Sequence, residues 1–276
     1  MEVQWYPGHM TKAMRQMSED VKLVDLIIEL LDARVPLSSR NPDINTLGRG
    51  KARLIILNKA DLADQAVSDK WLDYFAKEGH TALLLDSRNP GGMGEIRKAV
   101  DKVCREKKER DLKRGIKNRP ARAMVAGIPN AGKSTFINSI AKKAVAKTGN
   151  RPGVTRGKQW IRLNPMLELL DTPGVLWPKF EDPSVGLHLA MTGAINDDIL
   201  PREELAGEIL QFLSERYPGR IAERYGIDEE GELTGAIARR LGCLKAGGEA
   251  DLLRASGAVV DDFRSGRLGR ISIERT

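Results

Sequence analysis

Cysteine and long apolar runs are scarce in this chain of 276 residues. The two cysteines, Cys104 and Cys243, have no metal-ligand spacing and no partner motif, which argues against a disulfide framework or a cysteine zinc site. No run of about 18 apolar residues is present, and no arginine-rich or apolar leader precedes the first motif. We therefore expect a soluble, cytoplasmic protein with no membrane partner and with both thiols reduced and unpaired.

Internal repeats and low-complexity tracts are also missing, so the chain has the composition of an ordinary globular protein. Hydrophobic residues make up 41% of it. At this length, that content can bury the core of a sheet and the core of a smaller second domain. We predict two domains, residues 1–178 and residues 179–276.

Charge is unevenly distributed along the chain. The formal net charge of +7 and the pI near 9.4 indicate an anionic partner. Residues 183–276 hold 12 basic against 16 acidic side chains, whereas residues 1–182 hold 33 against 22. Residues 101–122 alone contribute ten basic and four acidic groups. This segment is either a phosphate-contacting surface or a solvated helix face.

A phosphate-binding loop with the sequence GIPNAGKS runs from Gly127 to Ser134. In such a loop, glycines let backbone N–H groups surround the phosphates, the lysine reaches the β and γ oxygens, and the serine hydroxyl ligates magnesium. Residues 122–127 predict a buried strand before the loop, and residues 133–141 predict a helix after it. We expect the nucleotide to contact Asn130, Ala131, Gly132, Lys133, Ser134 and Thr135.

The tetrapeptide Asn58-Lys59-Ala60-Asp61 predicts that the bound base is guanine. Asp61 can accept hydrogen bonds from the guanine N1 and N2 donors, while Asn58 meets the O6/N7 edge. Adenine lacks that donor pair, so the polar groups of the site would be left unpaired. The apolar run at residues 53–57 places Asn58 at the carboxyl end of a strand, where open α/β sheets bind their ligands.

The order of these motifs is unusual. The tetrapeptide lies about seventy residues before the phosphate loop, whereas an ordinary GTPase has it well after the loop. Asp86 and Ser87, behind a predicted strand at residues 81–85, suit the loop that contacts the base through a backbone N–H. The sequence therefore predicts an α/β P-loop GTPase fold with a circularly permuted motif order, which binds and hydrolyses GTP. Residues 102–122 would rejoin the old termini as a helix end followed by a polar run at 107–120.

Two further segments fit the switch elements that sense the γ-phosphate. Asp171-Thr-Pro-Gly174 follows a predicted strand at residues 167–170. We expect Asp171 to hold magnesium through water and the Gly174 N–H to contact the γ-phosphate. Residues 151–156, before a predicted strand at 159–163, contain Thr155, which is either the second magnesium hydroxyl beside Ser134 or part of a surface loop. The γ-phosphate orders such loops and hydrolysis releases them.

The group that positions the attacking water differs from that of small signalling GTPases, because Val175 stands where they carry a glutamine. His9 can orient or accept from water near neutral pH, although a lone histidine in a turn is often structural. Arg34 or Arg156 could stabilise the charge that develops on the phosphate, as an internal arginine finger. Each could instead bind a partner or a carboxylate. The residues to which we assign catalytic roles are His9, Thr155 and Lys133.

The chain resembles the ribosome biogenesis GTPase A (RbgA/YlqF) family of circularly permuted GTPases from end to end. The resemblance rests on the opening Trp-Tyr-Pro-Gly-His-Met, on Asp32-Ala-Arg34 within residues 31–42, and on Asp171-Thr-Pro-Gly-Val-Leu-Trp-Pro178. It implies a GTPase that acts late in assembly of the large ribosomal subunit. Such a protein binds the immature particle and its rRNA with GTP, hydrolyses GTP when the particle stimulates it, and leaves with GDP.

The resemblance also implies roles for individual residues. The family has a hydrophobic residue in place of the catalytic glutamine, which matches Val175, and a catalytic N-terminal histidine, which matches His9. In similar cation-dependent GTPases, the asparagine at the place of Asn130 helps to ligate potassium, which can substitute for an arginine finger. Loop geometry alone is the alternative role for Asn130. The implied cofactors are magnesium and potassium.

Residues 179–276 read as a small all-helical domain, with helices predicted at 203–216, 233–241 and 246–255. The family counterpart is a helical RNA-binding module, and no DNA partner is expected. Two alternative functions would each need a further sequence feature. A GTPase accessory to RNA modification would need a further cysteine, metal or cofactor motif. A signalling or trafficking switch would need lipidation or an amphipathic membrane helix. Neither feature is evident in the sequence.

Overall fold

The structure is a computed structural model, which describes residues 8–89, 91, 93–116, 119–141, 159–164, 167–172, 174, 176–177, 180, 182–196 and 200–276. The strands are β1 (Leu26–Asp32), β2 (Ala52–Asn58), β3 (Thr81–Leu85), β4 (Ala121–Ala126), β5 (Gln159–Asn164) and β6 (Leu167–Asp171). Within the described residues they form one sheet in the order β3-β2-β1-β4-β6-β5. Neighbouring strands are parallel except β5 and β6, which are antiparallel.

Helices lie on both sides of this sheet, and further helices follow its last strand. The first part of the chain ends with β6, and the second part begins after it. Those of the first part are α1 (Gly8–Val21), α2 (Asp43–Leu47), α3 (Gln65–Lys77), α4 (Met93–Val103), α5 (Arg105–Lys113) and α6 (Lys133–Ala141). Those of the second part are α7 (Pro183–Met191), α8 (Arg202–Arg216), α9 (Arg220–Tyr225), α10 (Leu233–Arg240) and α11 (Leu252–Ser265).

The central strand β1 is buried along its whole length. Successive side chains of a strand point to opposite faces of the sheet. Leu26, Ile28 and Leu30 pack with α4 and α6 on one face. Ile27 packs with α1 and Leu31 with α3 on the other face. Both faces are therefore covered, which explains why the parallel strands read as continuous apolar runs.

The predicted α/β class is confirmed, and the strands that precede the motifs lie where the sequence places them. Each predicted strand is present with its ends shifted by a single residue at most, and the helix after the phosphate loop spans residues 133–141 as predicted. These elements were predictable because a buried parallel strand and a motif at its carboxyl end occur together in the sequence.

The second part of the chain has an apolar core of its own, built mainly from α7 to α11. Two side chains of the phosphate loop, Ile128 and Ala131, are buried in the same core. The helical part therefore packs directly against the loop that is predicted to hold the phosphates. The division into domains at residues 178 and 179 stays a prediction.

One predicted helix was wrong in its position. The sequence predicted a helix at residues 246–255, but α11 begins at Leu252 and continues to Ser265. Gly247 and Gly248 adopt φ values of 96° and 82°, which a right-handed helix cannot contain. The Asp251 side chain then caps the helix by accepting a hydrogen bond from the Arg254 N–H.

The connector also differs from its prediction. The sequence predicted a helix end followed by a polar run at residues 107–120 and set no end for the helix, whereas α5 makes the chain helical as far as Lys113. Lysine, arginine and glutamate favour helices. An ion pair between residues four apart also stabilises a helix. Here Lys107 Nζ lies 2.7 Å from Asp111 Oδ2.

Both cysteines are buried free thiols, as expected, and burial raises the pKa of Cys104 to about 11. Across the part of the chain that the structure describes, no helix combines the length and the apolar character needed to cross a bilayer.

Candidate functional site

The base motif, the phosphate loop and the switch aspartate meet at one edge of the sheet, where the parallel strands end. Asp32 at the end of β1 lies beside Asn58 at the end of β2, and Asn58 lies beside Leu85 at the end of β3. On the other side of β1, β4 runs into the phosphate loop and β6 ends at Asp171. The topology therefore brings together the base motif, the phosphate loop and the switch aspartate despite their distance in the chain.

The phosphate loop has backbone conformations that ordinary residues avoid. Gly132 has φ of 95° and Asn130 has φ of 57°. A β-carbon at Gly132 would also collide with Nδ2 of Asn58. The loop leads directly into α6, where the Phe136 N–H donates to the Gly132 carbonyl at 2.8 Å. The first turn of α6 thus presents free N–H groups at a positive helix end, which suits an anionic ligand.

Asn58 ties three loops together through one buried side chain. Its Nδ2 donates to the Ala131 carbonyl in the phosphate loop at 2.7 Å. Its Oδ1 accepts from the Ser87 N–H at 3.0 Å and from the Ser87 hydroxyl at 2.6 Å. The sequence predicted contact of Asn58 with guanine and did not predict this bracing role. The amide carries a second N–H, so bracing and base contact are chemically compatible.

A buried ion network lies directly behind the base motif. Asp32 accepts from Arg34 Nε at 2.9 Å and from Arg34 Nη2 at 2.8 Å, and Lys59 Nζ approaches Asp32 Oδ2 at 2.9 Å. Burial alone would raise the pKa of Asp32, but the two cations outweigh it and hold that pKa well below its ordinary value. Burial lowers the pKa of Lys59 from its usual value, although Asp32 opposes the shift.

This network decides between the two roles that the sequence left open for Arg34. Its side chain is 2% exposed and binds Asp32 with two hydrogen bonds. The guanidinium is therefore engaged with the Asp32 carboxylate two residues away, which does not support an arginine finger. Sequence reasoning did not assign Asp32 to the site, although the Asp32-Ala-Arg34 run was a signal that could have found it.

The carboxylate of Asp61 fits the role of base acceptor. Its Oδ1 is buried and has no hydrogen-bond partner among the described residues. Its Oδ2 pairs with the Arg88 guanidinium, which also donates from Nε to Asp86 Oδ1 at 3.2 Å. The Ala60 N–H donates to the Leu85 carbonyl at 3.1 Å and fixes the base motif against the next loop. Sequence reasoning missed Arg88, because its two partners belong to different loops.

Lys133 is held inside the phosphate loop. Its Nζ donates to the carbonyls of Gly127 at 3.0 Å and Ile128 at 2.7 Å. Burial lowers its pKa to about 8, and the Asp171 charge opposes that shift. A β-carbon at Gly174 would lie 2.8 Å from this Nζ. Gly174 therefore sits against the phosphate loop, where the sequence predicted a γ-phosphate contact.

Comparison with known proteins places this geometry in a family. The sequence profile described as 50S ribosome-binding GTPase matches residues 122–204. A Bacillus cereus protein named Ribosome biogenesis GTPase A is 49% identical over 278 residues, which cover 99% of this chain and 94% of that protein. The chain belongs to the ribosome biogenesis GTPase A family.

More distant members and a solved structure agree. Ribosome biogenesis GTPase A of Thermotoga maritima is 33% identical over 98% of this chain and 94% of its own length. The crystal structure of GNP-bound YlqF from the same organism has a TM-score of 0.66 and 28% identity, and the match covers 96% of this chain and 98% of that one. The resemblance that the sequence motifs indicated is thereby confirmed for the family and the fold.

Magnesium follows from membership of this GTPase family, and the described residues fit it. The Ser134 hydroxyl and the Asp171 carboxylate are the hard oxygen donors that magnesium prefers. Asp171 is 2% exposed and lies close enough to Lys133 to oppose its pKa shift. Among the described residues, no three His, Cys, Asp or Glu side chains form a metal-binding group. A magnesium site in a GTPase needs no such group, because nucleotide phosphates and water complete it.

Asn130 links the phosphate loop to the helical part of the protein. Its Nδ2 donates to the Gly193 carbonyl, in the turn after α7, at 2.6 Å. A potassium ligand would use the amide oxygen, so this contact leaves the predicted role chemically possible. Potassium binding by Asn130 stays a prediction.

The remaining catalytic candidates fall largely outside the described residues. His9 belongs to the first turn of α1, but its side chain is not among those described. Thr155, Arg156 and Val175 lie outside the described ranges altogether. Their predicted roles therefore stay predictions.

Proposed function

We propose that this protein is a GTPase that acts in assembly of the large ribosomal subunit. Its relatives are named for ribosome biogenesis, and the matching profile is described by binding to the 50S particle. The observation that carries the proposal is the joining of the base motif to the phosphate loop by the Asn58–Ala131 hydrogen bond. This bond supports one continuous site for a guanine nucleotide, although the motif order is permuted.

The guanine end of the nucleotide would lie between the base motif and the loop after β3. Asp61 would accept from guanine N1 and N2. Its buried Oδ1, which has no hydrogen-bond partner among the described residues, supports this role because a buried acceptor needs a donor. Asn58, Lys59 and Ala60 would form the wall of the base site. Asp86 and Ser87 would complete it from the neighbouring loop.

The phosphates would lie over the amino end of α6. Lys133 would exchange its two carbonyl partners for the β and γ oxygens, and the Gly174 N–H would contact the γ-phosphate. Asn130, Ala131, Gly132 and Thr135 would supply further backbone and side-chain contacts. Ser134, Thr155 and Asp171 would hold the magnesium ion, which neutralises phosphate charge when bound.

Hydrolysis would depend on groups other than a glutamine. His9 would position the attacking water, Thr155 would order the switch loop, and Lys133 would stabilise the developing phosphate charge. Potassium near Asn130 would add positive charge at the same place. Binding to the large subunit would order these groups and so stimulate hydrolysis.

The cycle would run from a GTP-bound protein on the immature particle to a GDP-bound protein in solution. Residues 1–178 would form the GTPase domain, and residues 179–276 would form a helical domain that contacts rRNA. The phosphate-loop side chains Ile128 and Ala131 are buried in the helical core. That packing gives nucleotide-dependent changes in the loop a direct route to the helices.

Co-sedimentation with large-subunit particles tests this function. Protein and particles would be centrifuged in potassium buffer with a non-hydrolysable GTP analogue or with GDP, and phosphate release from GTP would be measured with and without particles. We expect binding with the analogue, release with GDP and faster hydrolysis on the particle. Equal binding in both nucleotide states, without stimulation, would contradict the proposal.

A further inference from the structure

The helices α4 and α5, which lie between β3 and β4 in the chain, carry an exposed basic surface. We define the connector surface by the cationic side chains of Lys98, Lys102, Arg105, Arg110, Lys113 and Arg114. Lys107 Nζ of α5 lies 3.4 Å from Oδ2 of Asp25, and Asp25 immediately precedes β1. Since the nucleotide motifs follow the carboxyl ends of the strands, α5 lies near the opposite edge of the sheet.

The lysines of this segment divide into two groups. Lys107 is paired with Asp25 and Asp111, and Lys108 is paired with Asp101 at 2.6 Å. All six cations of the connector surface are exposed, and none has an ion pair within the part of the chain that the structure describes. Moreover, α5 contains no buried residue among those described. The six cations therefore contribute little to the fold, and their charge faces solvent.

Helix geometry aligns three of these cations. The Cys104 N–H donates to the Val100 carbonyl and the Lys108 N–H donates to the Cys104 carbonyl, each at 3.0 Å, so the helical turn continues from α4 into α5. Lys98, Lys102 and Arg105 follow each other at spacings of four and three residues and share one face over about 10 Å. The opposite face is buried through Ile96 and Val100.

The chemistry of this surface suits a polyanion better than an acidic protein. Protein interfaces need a central apolar area, and α5 exposes one large apolar side chain, Leu112. Nucleic-acid interfaces are polar and strongly basic, and lysine and arginine contacts to successive phosphates provide much of their affinity. Exposed cations that share one helix face, without ion pairs in the described part of the chain, provide that arrangement.

We propose that the connector surface binds the sugar–phosphate backbone of ribosomal RNA on the large subunit. This inference rests on the proposed function for its partner and adds a second contact region to the helical domain. Because the surface lies away from the nucleotide motifs, it contributes to affinity for the particle and not to the chemistry of hydrolysis.

The test compares two pairs of lysines that differ in location but not in charge. Lys98→Gln/Lys102→Gln neutralises the connector surface. Lys70→Gln/Lys77→Gln neutralises two exposed lysines of α3, which packs on the other face of the sheet. Binding to large-subunit particles and to protein-free large-subunit rRNA would be measured with the GTP analogue at several potassium chloride concentrations.

We expect the connector variant to bind both particles and free rRNA roughly tenfold more weakly, with the salt-dependence slope reduced by about 2. The α3 variant should bind like the wild type. Both variants should keep the wild-type rate of particle-free GTP hydrolysis and the wild-type unfolding midpoint, because the changed side chains are exposed.

Three outcomes would overturn the inference. Equal affinities and slopes for the two variants would remove the connector surface from the interface. Weaker binding of the connector variant to particles, with unchanged binding to free rRNA, would identify a ribosomal protein as the partner. Failure of the wild type to bind particles in any nucleotide state would overturn the proposed function itself, and the inference with it.

Discussion

At the scale of single residues, Lys133 shows how burial prepares a site for its ligand. The ammonium group is 8% exposed and bonds only to loop carbonyls among the described contacts. The carbonyl dipoles offset only part of the hydration that the ammonium group loses on burial. The pKa of Lys133 therefore falls to about 8. Nucleotide phosphates would supply the missing negative charge and raise that pKa, so part of the binding free energy depends on the proton.

This linkage predicts proton uptake when GDP binds. Below pH 7 the free protein already carries the Lys133 proton, so binding should take up none at this group. At pH 8.5, about three-quarters of the lysines are neutral before binding and should gain a proton, and affinity should fall as the pH rises through 8. Calorimetry in buffers of different ionisation enthalpy measures the uptake. The higher pH is kept at 8.5 because this is below the pKa of guanine N1, whose titration would also change the number of bound protons. Equal uptake at pH 7 and 8.5 would contradict the assignment.

Residue types with a local signature were predictable from the sequence, whereas their long-range partners were not. Asp61 and Gly132 could be placed from motif spacing, and the structure brings both to the expected edge of the sheet. The bond of Asn58 to Ala131 and the pair of Asp61 with Arg88 join segments that only the fold brings together. No local pattern encodes such contacts, and the functional roles of these residues stay predictions.

At the scale of elements, the sequence predicted strands correctly where an apolar run precedes a motif. It did not predict where α11 begins or how far α5 extends. The strands at residues 53–57 and 81–85 were found because each is a short apolar run followed directly by polar residues of a motif. The start of α11 was predicted too early, because residues 246–255 have helical apolar spacing but include two glycines that adopt positive φ. The extent of α5 was missed because an exposed helix without buried residues has no apolar period to detect.

At the scale of the whole molecule, the end of the chain ties the helical part to the base motif. The Ile271 N–H donates to the Leu62 carbonyl at 2.8 Å, and the Ile273 N–H donates to the Arg34 carbonyl at 2.9 Å. The Glu274 carboxylate accepts from the Leu37 N–H at 2.6 Å and from the following N–H at 2.8 Å. Nothing in the sequence predicted this segment, because a short extended tail has neither period nor motif.

Removal of this tail should therefore weaken both stability and nucleotide binding. A chain that ends at Arg270 loses several backbone hydrogen bonds, at about 1 kcal/mol each, and should lower the free energy of unfolding by roughly 3 kcal/mol. GDP affinity should fall several-fold, because the loop at Leu62 and the backbone of Arg34 lose their support. A chain that ends at Glu274 keeps these contacts and serves as the control. Urea unfolding and GDP titration measure both effects, and identical results for the two truncations would refute the link.

If motifs in permuted order build one guanine site, changing Asp61 to asparagine should change which nucleotide the protein prefers. Xanthine carries a carbonyl at C2 where guanine carries an amine, so an asparagine amide can donate where the aspartate accepted. The wild type should prefer GDP to xanthosine diphosphate (XDP) and to ADP by a factor on the order of 10⁴. The variant should lose GDP affinity and gain XDP affinity, with an unchanged unfolding midpoint. Unaltered preference for GDP in the variant would show that Asp61 does not bind the guanine base and that the permuted motifs do not build this site.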